Sequence, residues 1–258
     1  MDINAIISEV TKSVLEKAGS APAGKDSPDA APAAIKTGDG ADYGQYIDHT
    51  VLKPETVKAT LKKFCDEARQ YHFASVCVNP ANVAYVASQL KGSGVKTCSV
   101  VGFPLGASTS FIKAAESTEA IKNGAEEIDM VINIGALKDR EYDVVYNDIL
   151  AVVNACHPYA IVKTIIETSA LTDGEKVAAC ALAKLAGADF VKTSTGFGSG
   201  GATADDVRLM KQVVGEGIRV KASTGINDRR ICDEMLKAGA VRMGTSKGIR
   251  IVKGEIDP

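Results

Sequence analysis

Leu185-Ala186-Gly187-Ala188-Asp189-Phe190-Val191-Lys192-Thr193-Ser194-Thr195-Gly196 holds the end of one helix and the start of one strand. Residues 174–186 recur with helical apolar spacing, and Gly187 is a helix stop. The short apolar run behind it reads as a buried parallel strand. Asn123-Gly124-Ala125 and Ala238-Gly239-Ala240 repeat the same junction. Working outward, strands are expected at Gln45–Asp48, Phe73–Val78, Thr97–Gly102, Glu127–Ile132, Ile161–Glu167, Phe190–Thr193, Arg219–Lys221 and Ala240–Met243. Between them lie helical patterns at Glu55–Gln70, Ala81–Lys91, Thr109–Asn123, Tyr142–Ala155, Gly174–Ala186, Ala204–Gly215 and Asp228–Ala238, with a short one after Ser246. Eight strand–helix pairs in about 215 residues predict a closed (β/α)8 TIM barrel. A doubly wound open sheet is the runner-up, disfavoured because no Gly-x-Gly-x-x-Gly follows the first strand.

Lys192 is unexpected in such a run. Lys221 is placed alike in Ile218-Arg219-Val220-Lys221-Ala222-Ser223-Thr224-Gly225, and Lys163 sits inside Ile161–Glu167. A lysine is seldom buried unless paired or catalytic. Several on one sheet suggest an amine nucleophile beside another cation, which prepares it to form a Schiff base. Barrel strand ends converge on one mouth. Asp48, Thr50, Cys77, Asn79, Gly102, Asp129, Glu167, Gly244 and Ser246 occupy other such ends. Asp129 is flanked by Ile128, Met130, Val131 and Ile132, so its carboxylate needs a partner. A structural Asp–Lys ion pair is one reading. Two further strand lysines favour catalysis.

The last two strand ends suggest an anion site. Ser223-Thr224-Gly225 and Gly244-Thr245-Ser246-Lys247-Gly248 stand where barrels hold phosphate, and the second opens a short helix. An ordinary turn with Ser246 as helix cap is the plainer alternative.

Composition narrows the function classes. The chain has 258 residues, 45% hydrophobic and 24% charged, with a formal net charge of −2. That balance suits a globular protein and gives no reason to expect nucleic acid or an anionic membrane as partner. No apolar stretch nears the roughly 18 residues of a membrane span. No basic segment leads into an apolar core at the N-terminus, so a secretory signal is not expected. The six cysteines form no Cys-x-x-Cys pair, which fits a reducing cytoplasm. His49, His72 and His157 have no metal-ligand spacing, so no metal is expected.

The domain organisation is expected in three parts. Residues 1–18 carry an apolar stripe of Ile3, Ile6, Ile7, Val10 and Val14 on a helix. Residues 19–42, rich in Ala, Pro, Gly, Asp and Ser, read as a flexible linker. Residues 43–258 form the barrel domain. The stripe must be buried against something: its own barrel, a sister subunit or another protein.

From about residue 45 to 252 the chain resembles the deoxyribose-phosphate aldolases, a family of Schiff-base (class I) aldolases. The segments carrying the resemblance are Ile47-Asp48-His49-Thr50-Val51-Leu52-Lys53-Pro54, Val76-Cys77-Val78-Asn79-Pro80, Val101-Gly102-Phe103-Pro104-Leu105-Gly106, Glu126-Glu127-Ile128-Asp129-Met130-Val131-Ile132-Asn133, Lys163-Thr164-Ile165-Ile166-Glu167-Thr168, Phe190-Val191-Lys192-Thr193-Ser194-Thr195-Gly196, Val220-Lys221-Ala222-Ser223 and Gly244-Thr245-Ser246.

The resemblance implies reversible cleavage of 2-deoxy-D-ribose 5-phosphate to D-glyceraldehyde 3-phosphate and acetaldehyde, without metal or organic cofactor. It implies Lys192 as the imine former, Lys221 as the lysine that depresses its pKa, and Asp129 as the acid/base partner. Asp48, Thr50, Cys77, Lys163 and Thr195 are expected around the substrate, with Asp48 and Thr195 near its hydroxyls. Gly196, Gly225, Gly244 and Ser246 are expected as the phosphate cup, with Lys247 as counter-charge. Two positions depart: Thr224-Gly225 stands where the family often has Gly-Gly, and Asn227 where some members carry a basic residue. A different sugar-phosphate aldolase or transaldolase, and a silent sugar-phosphate-binding scaffold, remain as alternatives. A dimer or tetramer of the chain is expected. The N-terminal pattern resembles the encapsulation peptides of bacterial microcompartments, which implies shell proteins as partners of residues 1–18.

Overall fold

The computed structural model describes residues 2–20 and 42–256. Most of the expected linker, residues 21–41, lies outside the described residues. Eight parallel strands close in chain order: β1 (Ile47–Thr50), β2 (Ser75–Val78), β3 (Lys96–Val101), β4 (Glu127–Val131), β5 (Ile161–Ile165), β6 (Phe190–Lys192), β7 (Arg219–Ser223) and β8 (Ala240–Thr245), which pairs back onto β1. All eight overlap the expected segments. β7 and β8 run two residues further, because Ser223, Gly244 and Thr245 extend the ladder although none has an apolar side chain to mark it in the sequence. β1 starts two residues later, as Tyr43–Tyr46 coils into a 3₁₀ turn first.

The helices alternate with the strands as α2 (Lys58–Gln70), α3 (Val83–Leu90), α4 (Ser110–Lys122), α5 (Ile134–Lys138), α6 (Tyr142–Cys156), α7 (Asp173–Leu185), α8 (Ala204–Val214), α9 (Arg229–Lys237) and α10 (Gly248–Val252). Their starts are set by side chains that satisfy orphan N–H groups: Thr109, Thr203, Asp228, and a Thr172–Glu175 capping box. The stops at Gly124, Gly187 and Gly239 adopt φ of +101°, +83° and +109°, the left-handed conformation that glycine takes without a steric penalty. The five-residue α5 is additional to the expected elements and too short to show an apolar period.

Strand alternation sorts side chains between two layers. Outward residues such as Val76, Ile128, Val162, Val191 and Val220 pack under the helices. Inward positions carry the charges. Asp129 pairs in register with Lys163, Lys192 with Lys221, and Lys221 with Arg242.

The N-terminal helix α1 (Ile3–Ser20) lies on the outside of the barrel against α7, with lesser contact to α8 and α6. Ile3 and Ile7 are buried there, and Val10 and Val14 are partly buried. This seat explains α7, where Val177 through Ala183 are all buried, on both faces of the helix. Small alanines let α1 approach closely. No described helix is long and apolar enough to cross a membrane.

Candidate active site

Asp129 organises the barrel interior. Its Oδ2 accepts hydrogen bonds from Lys192 Nζ and Lys221 Nζ, each at 2.7 Å. Its Oδ1 accepts from Lys163 Nζ at 2.8 Å and from Cys98 Sγ at 3.2 Å. One layer deeper, Asp48 Oδ2 lies 2.5 Å from Lys221 Nζ, and Asp48 Oδ1 accepts from Ser75 Oγ at 2.6 Å. Arg242 donates to Asp48 Oδ1 and to both oxygens of Glu127, at 2.6–2.9 Å. Lys163 lies 2.6 Å from Glu127.

Burial works against ionising Asp129, yet the ammoniums of Lys163, Lys192 and Lys221 together hold its carboxyl well below the usual range. Burial likewise opposes a charged Asp48, and Arg242, Lys221 and Lys163 outweigh it, so that carboxyl too is held down. Desolvation would neutralise Lys221 and Lys163, but the carboxylates around them keep both above the ordinary lysine range. Three carboxylates thus face four cations. With all seven groups ionised the cluster carries one positive charge in excess.

Above the cluster opens a cavity of about 640 Å³. Of the cluster's four cations only Lys192 lines it, joined by Thr50, Thr195, Gly196, Gly225, Gly244 and Ser246. Asp129 and Lys221 stand directly behind Lys192. Three residues expected around the substrate lie deeper than the cavity wall: Asp48, Cys77 and Lys163 are fully buried and do not line the cavity. Asp48 and Lys163 are spent in ion pairs in the deeper layers of the barrel. Cys77 packs in the interior against Leu52, Cys98 and Val100. Lys247 also stands apart, exposed and outside the cavity lining. Ser246 is not a helix cap. Thr245 Oγ1 instead accepts from Lys247 N at 2.9 Å, and α10 begins without a side-chain cap.

Three residues of this site went unassigned in the sequence reading. Glu127 and Arg242 are inward strand positions whose polarity among apolar neighbours was the available signal. Glu167, just past β5, accepts from Thr195 N at 3.1 Å and Thr195 Oγ1 at 2.5 Å, tying down the loop that follows Lys192. It does so from φ +57°, a strained position for a non-glycine residue. Thr224 is strained likewise, at φ +72° on the cavity wall, a conformation glycine would adopt freely.

Cys77, Cys98 and Asp129 place donor atoms within 4.8 Å of one another, a spacing a metal could use. The carboxylate of that trio already serves three ammoniums, and Lys163 Nζ lies 3.4 Å from Cys98 Sγ. A cation there would meet three ammonium groups, those of Lys163, Lys192 and Lys221.

The DeoC/LacD family aldolase profile matches residues 44–254. A deoxyribose-phosphate aldolase of Clostridium tetani is 60% identical over 209 residues, covering 81% of this chain and 97% of that protein. One from Enterococcus faecalis is 55% identical, covering 83% and 97%. Among solved structures, the tetrameric deoxyribose phosphate aldolase of Aeropyrum pernix superposes with a TM-score of 0.77 at 28% identity, covering 95% of each chain. An aldolase named QR15 superposes at 0.78 with 40% identity, covering 82% of this chain and 95% of its own.

Proposed function

The chain belongs to the DeoC/LacD family of aldolases, and we propose that its chemistry runs through an imine on Lys192. The reaction is the reversible retro-aldol cleavage of 2-deoxy-D-ribose 5-phosphate to D-glyceraldehyde 3-phosphate and acetaldehyde. One observation carries the assignment of the nucleophile. Of the amines on Asp129, Lys192 alone lines the open cavity, where a substrate carbonyl can reach it. Lys221, held as ammonium by Asp129 and Asp48, is the neighbouring cation that disfavours a second charge on Lys192.

Neutral Lys192 attacks the substrate aldehyde carbon, and loss of water leaves the imine. The protonated imine draws the electron pair of the C2–C3 bond as the C3 hydroxyl loses its proton. That releases D-glyceraldehyde 3-phosphate and leaves an enamine. Protonation at C2 and hydrolysis release acetaldehyde and restore Lys192. Asp129, hydrogen-bonded to the reacting nitrogen, and Lys221, which donates to the same Asp129 oxygen, are the groups that move these protons. Gly196, Gly225, Gly244 and Ser246, which line the same cavity, receive the phosphate.

Borohydride added with deoxyribose phosphate or acetaldehyde tests this reading. The peptide containing Lys192 gains covalent mass. Label on Lys221 or Lys163 moves the nucleophile, and no label makes the barrel a silent binder.

The family match begins at residue 44, so α1 lies outside the catalytic module. The proposal for α1 is that its apolar face, now laid on α7, also engages microcompartment shell proteins. Helix-in-groove packing is the physical mode. Residues 1–40 fused to a fluorescent protein then become punctate in cells making such shells, whereas diffuse fluorescence removes the idea. A homo-oligomer is proposed on the precedent of the Aeropyrum pernix tetramer, with light scattering as its test.

A further inference from the structure

We propose that Ser223 is a specificity-determining residue, its hydroxyl binding the C4 hydroxyl of the sugar phosphate; this rests on the imine reading of Lys192. Most hydroxyls on the cavity wall are already engaged or reach water. Thr50 Oγ1 donates to Asp48 O at 2.8 Å, Thr56 Oγ1 to Lys53 O at 2.6 Å, and Thr245 Oγ1 to Ile226 O at 2.8 Å. Thr195 Oγ1 gives its proton to Glu167 at 2.5 Å and accepts from Phe197 N at 3.0 Å. Each has spent its one hydrogen. Thr60, Thr224 and Ser246 sit where water reaches them.

Ser223 differs from all of these. It lines the cavity, is 4% exposed, and its buried Oγ has no hydrogen-bond partner. An orphaned buried hydroxyl is uncommon and costs stability, so its presence beside a cavity points to a ligand. Its place along β7 identifies which part of the ligand. Lys221 and Ser223 both face inward, one pleat apart, and Gly225 follows two residues on. The imine forms at the level of Lys192, which pairs with Lys221, and the phosphate rests at Gly225 and Gly244. Ser223 lies past Lys221 and short of Gly225, in register with Gly244, which sets its hydroxyl beside the carbon next to the phosphate-bearing one, C4.

Gly244 makes room for this. A Cβ there would collide with Ser223 Oγ. Because no hydrogen bond holds the Oγ against Gly244, rotation about χ1 brings it into the cavity without breaking one.

The test compares two substrates that both keep the phosphate: 2-deoxy-D-ribose 5-phosphate and its 4-deoxy analogue, 3-hydroxy-5-phosphooxypentanal. The wild-type enzyme favours the first by at least about 10-fold in kcat/KM, because the analogue leaves the Ser223 hydroxyl unpaired. Ser223→Ala brings the two substrates to within about 2-fold of each other, through loss on the natural substrate. Unchanged discrimination in Ser223→Ala, or equal loss on both substrates, overturns the assignment. Borohydride trapping of the wild type with acetaldehyde, which has no C4, separates the two levels. If Lys192 traps and discrimination is unmoved, only the Ser223 role fails. If Lys192 does not trap, the imine reading fails and takes this role with it.

Discussion

Lys192 and Lys221 sit opposite each other in register on β6 and β7 and donate to the same oxygen, Oδ2 of Asp129, at equal distances of 2.7 Å. Two amines on one carboxylate oxygen cannot have the same role. Lys221 is also held by Asp48, and Lys192 is open to the cavity. The asymmetry supports the proposed roles, Lys221 as the fixed cation and Lys192 as the nucleophile.

Lys221→Leu removes that fixed cation. A like charge beside Lys192 disappears, so the ammonium form of Lys192 is favoured and the pH profile of imine formation moves to the alkaline side. Turnover at neutral pH falls by about 10²-fold or more. Trapping yield against pH is the measurement, and an unmoved profile assigns the tuning to burial instead.

Asp129→Asn acts on proton transfer more than on binding. The expected loss in kcat is about 10²- to 10³-fold with little change in KM. The same change leaves Lys163, Lys192 and Lys221 facing an amide. Stability in urea therefore drops by about 3–5 kcal/mol, as when one partner of a buried ion pair is removed. A rise in KM alone would make Asp129 a binding residue.

The carboxyls of Asp48 and Asp129 are held below their ordinary range in the folded barrel, so the unfolded chain takes up their protons first. Their contribution to stability is complete above the unfolded carboxyl pKa of about 4 and is lost progressively as the pH falls below it. Urea unfolding followed from pH 7 to pH 3 should show this decline. In Asp129→Asn the same decline is shallower.

Glu167→Ala unties Thr195 and the loop that follows Lys192. We expect kcat/KM to fall about 10-fold, and Glu167→Gln, which keeps one carbonyl acceptor, to recover part of it. Steady-state kinetics of the two variants decide the matter. Equal activity of Ala and Gln variants would mean that the hydrogen bonds to Thr195 do not matter.

Ser246→Glu puts a negative charge in the proposed phosphate cup. It is expected to weaken deoxyribose 5-phosphate cleavage at least about 10-fold more than cleavage of free deoxyribose. Equal losses on both substrates would place the phosphate elsewhere.

The sequence made the barrel legible because each strand is a short apolar run and three of the helix–strand junctions carry a glycine stop. Lys192, Lys221 and Asp129 stood out as charges inside such runs, and the structure joins them. Depth did not show. Asp48, Cys77 and Lys163 sit on strands like the others, but how far each lies below the mouth depends on the stagger between strands, which is a relation among distant segments. Glu167 was visible as a strand-end carboxylate, while its hold on Thr195 depends on a left-handed backbone that no local pattern announces. The seat of α1 was hidden similarly, since its partner α7 lies more than 150 residues away. The all-round apolar character of Val177–Ala183 was the trace it left.

Asp48, on the first strand, depends on Arg242, on the last, a partner 194 positions away in the chain. During synthesis the carboxylates of Asp48 and Glu127 leave the ribosome long before the guanidinium that neutralises them. A nascent chain that has delivered seven strands therefore lacks the hydrogen bonds that Arg242 gives Asp48 and Glu127, and burying those carboxylates in a closed, dry barrel is less favourable at that stage. The barrel gains its last strand and the guanidinium that ties Asp48 to Glu127 together, so truncations within β8 should yield open, protease-sensitive chains rather than weakened enzymes.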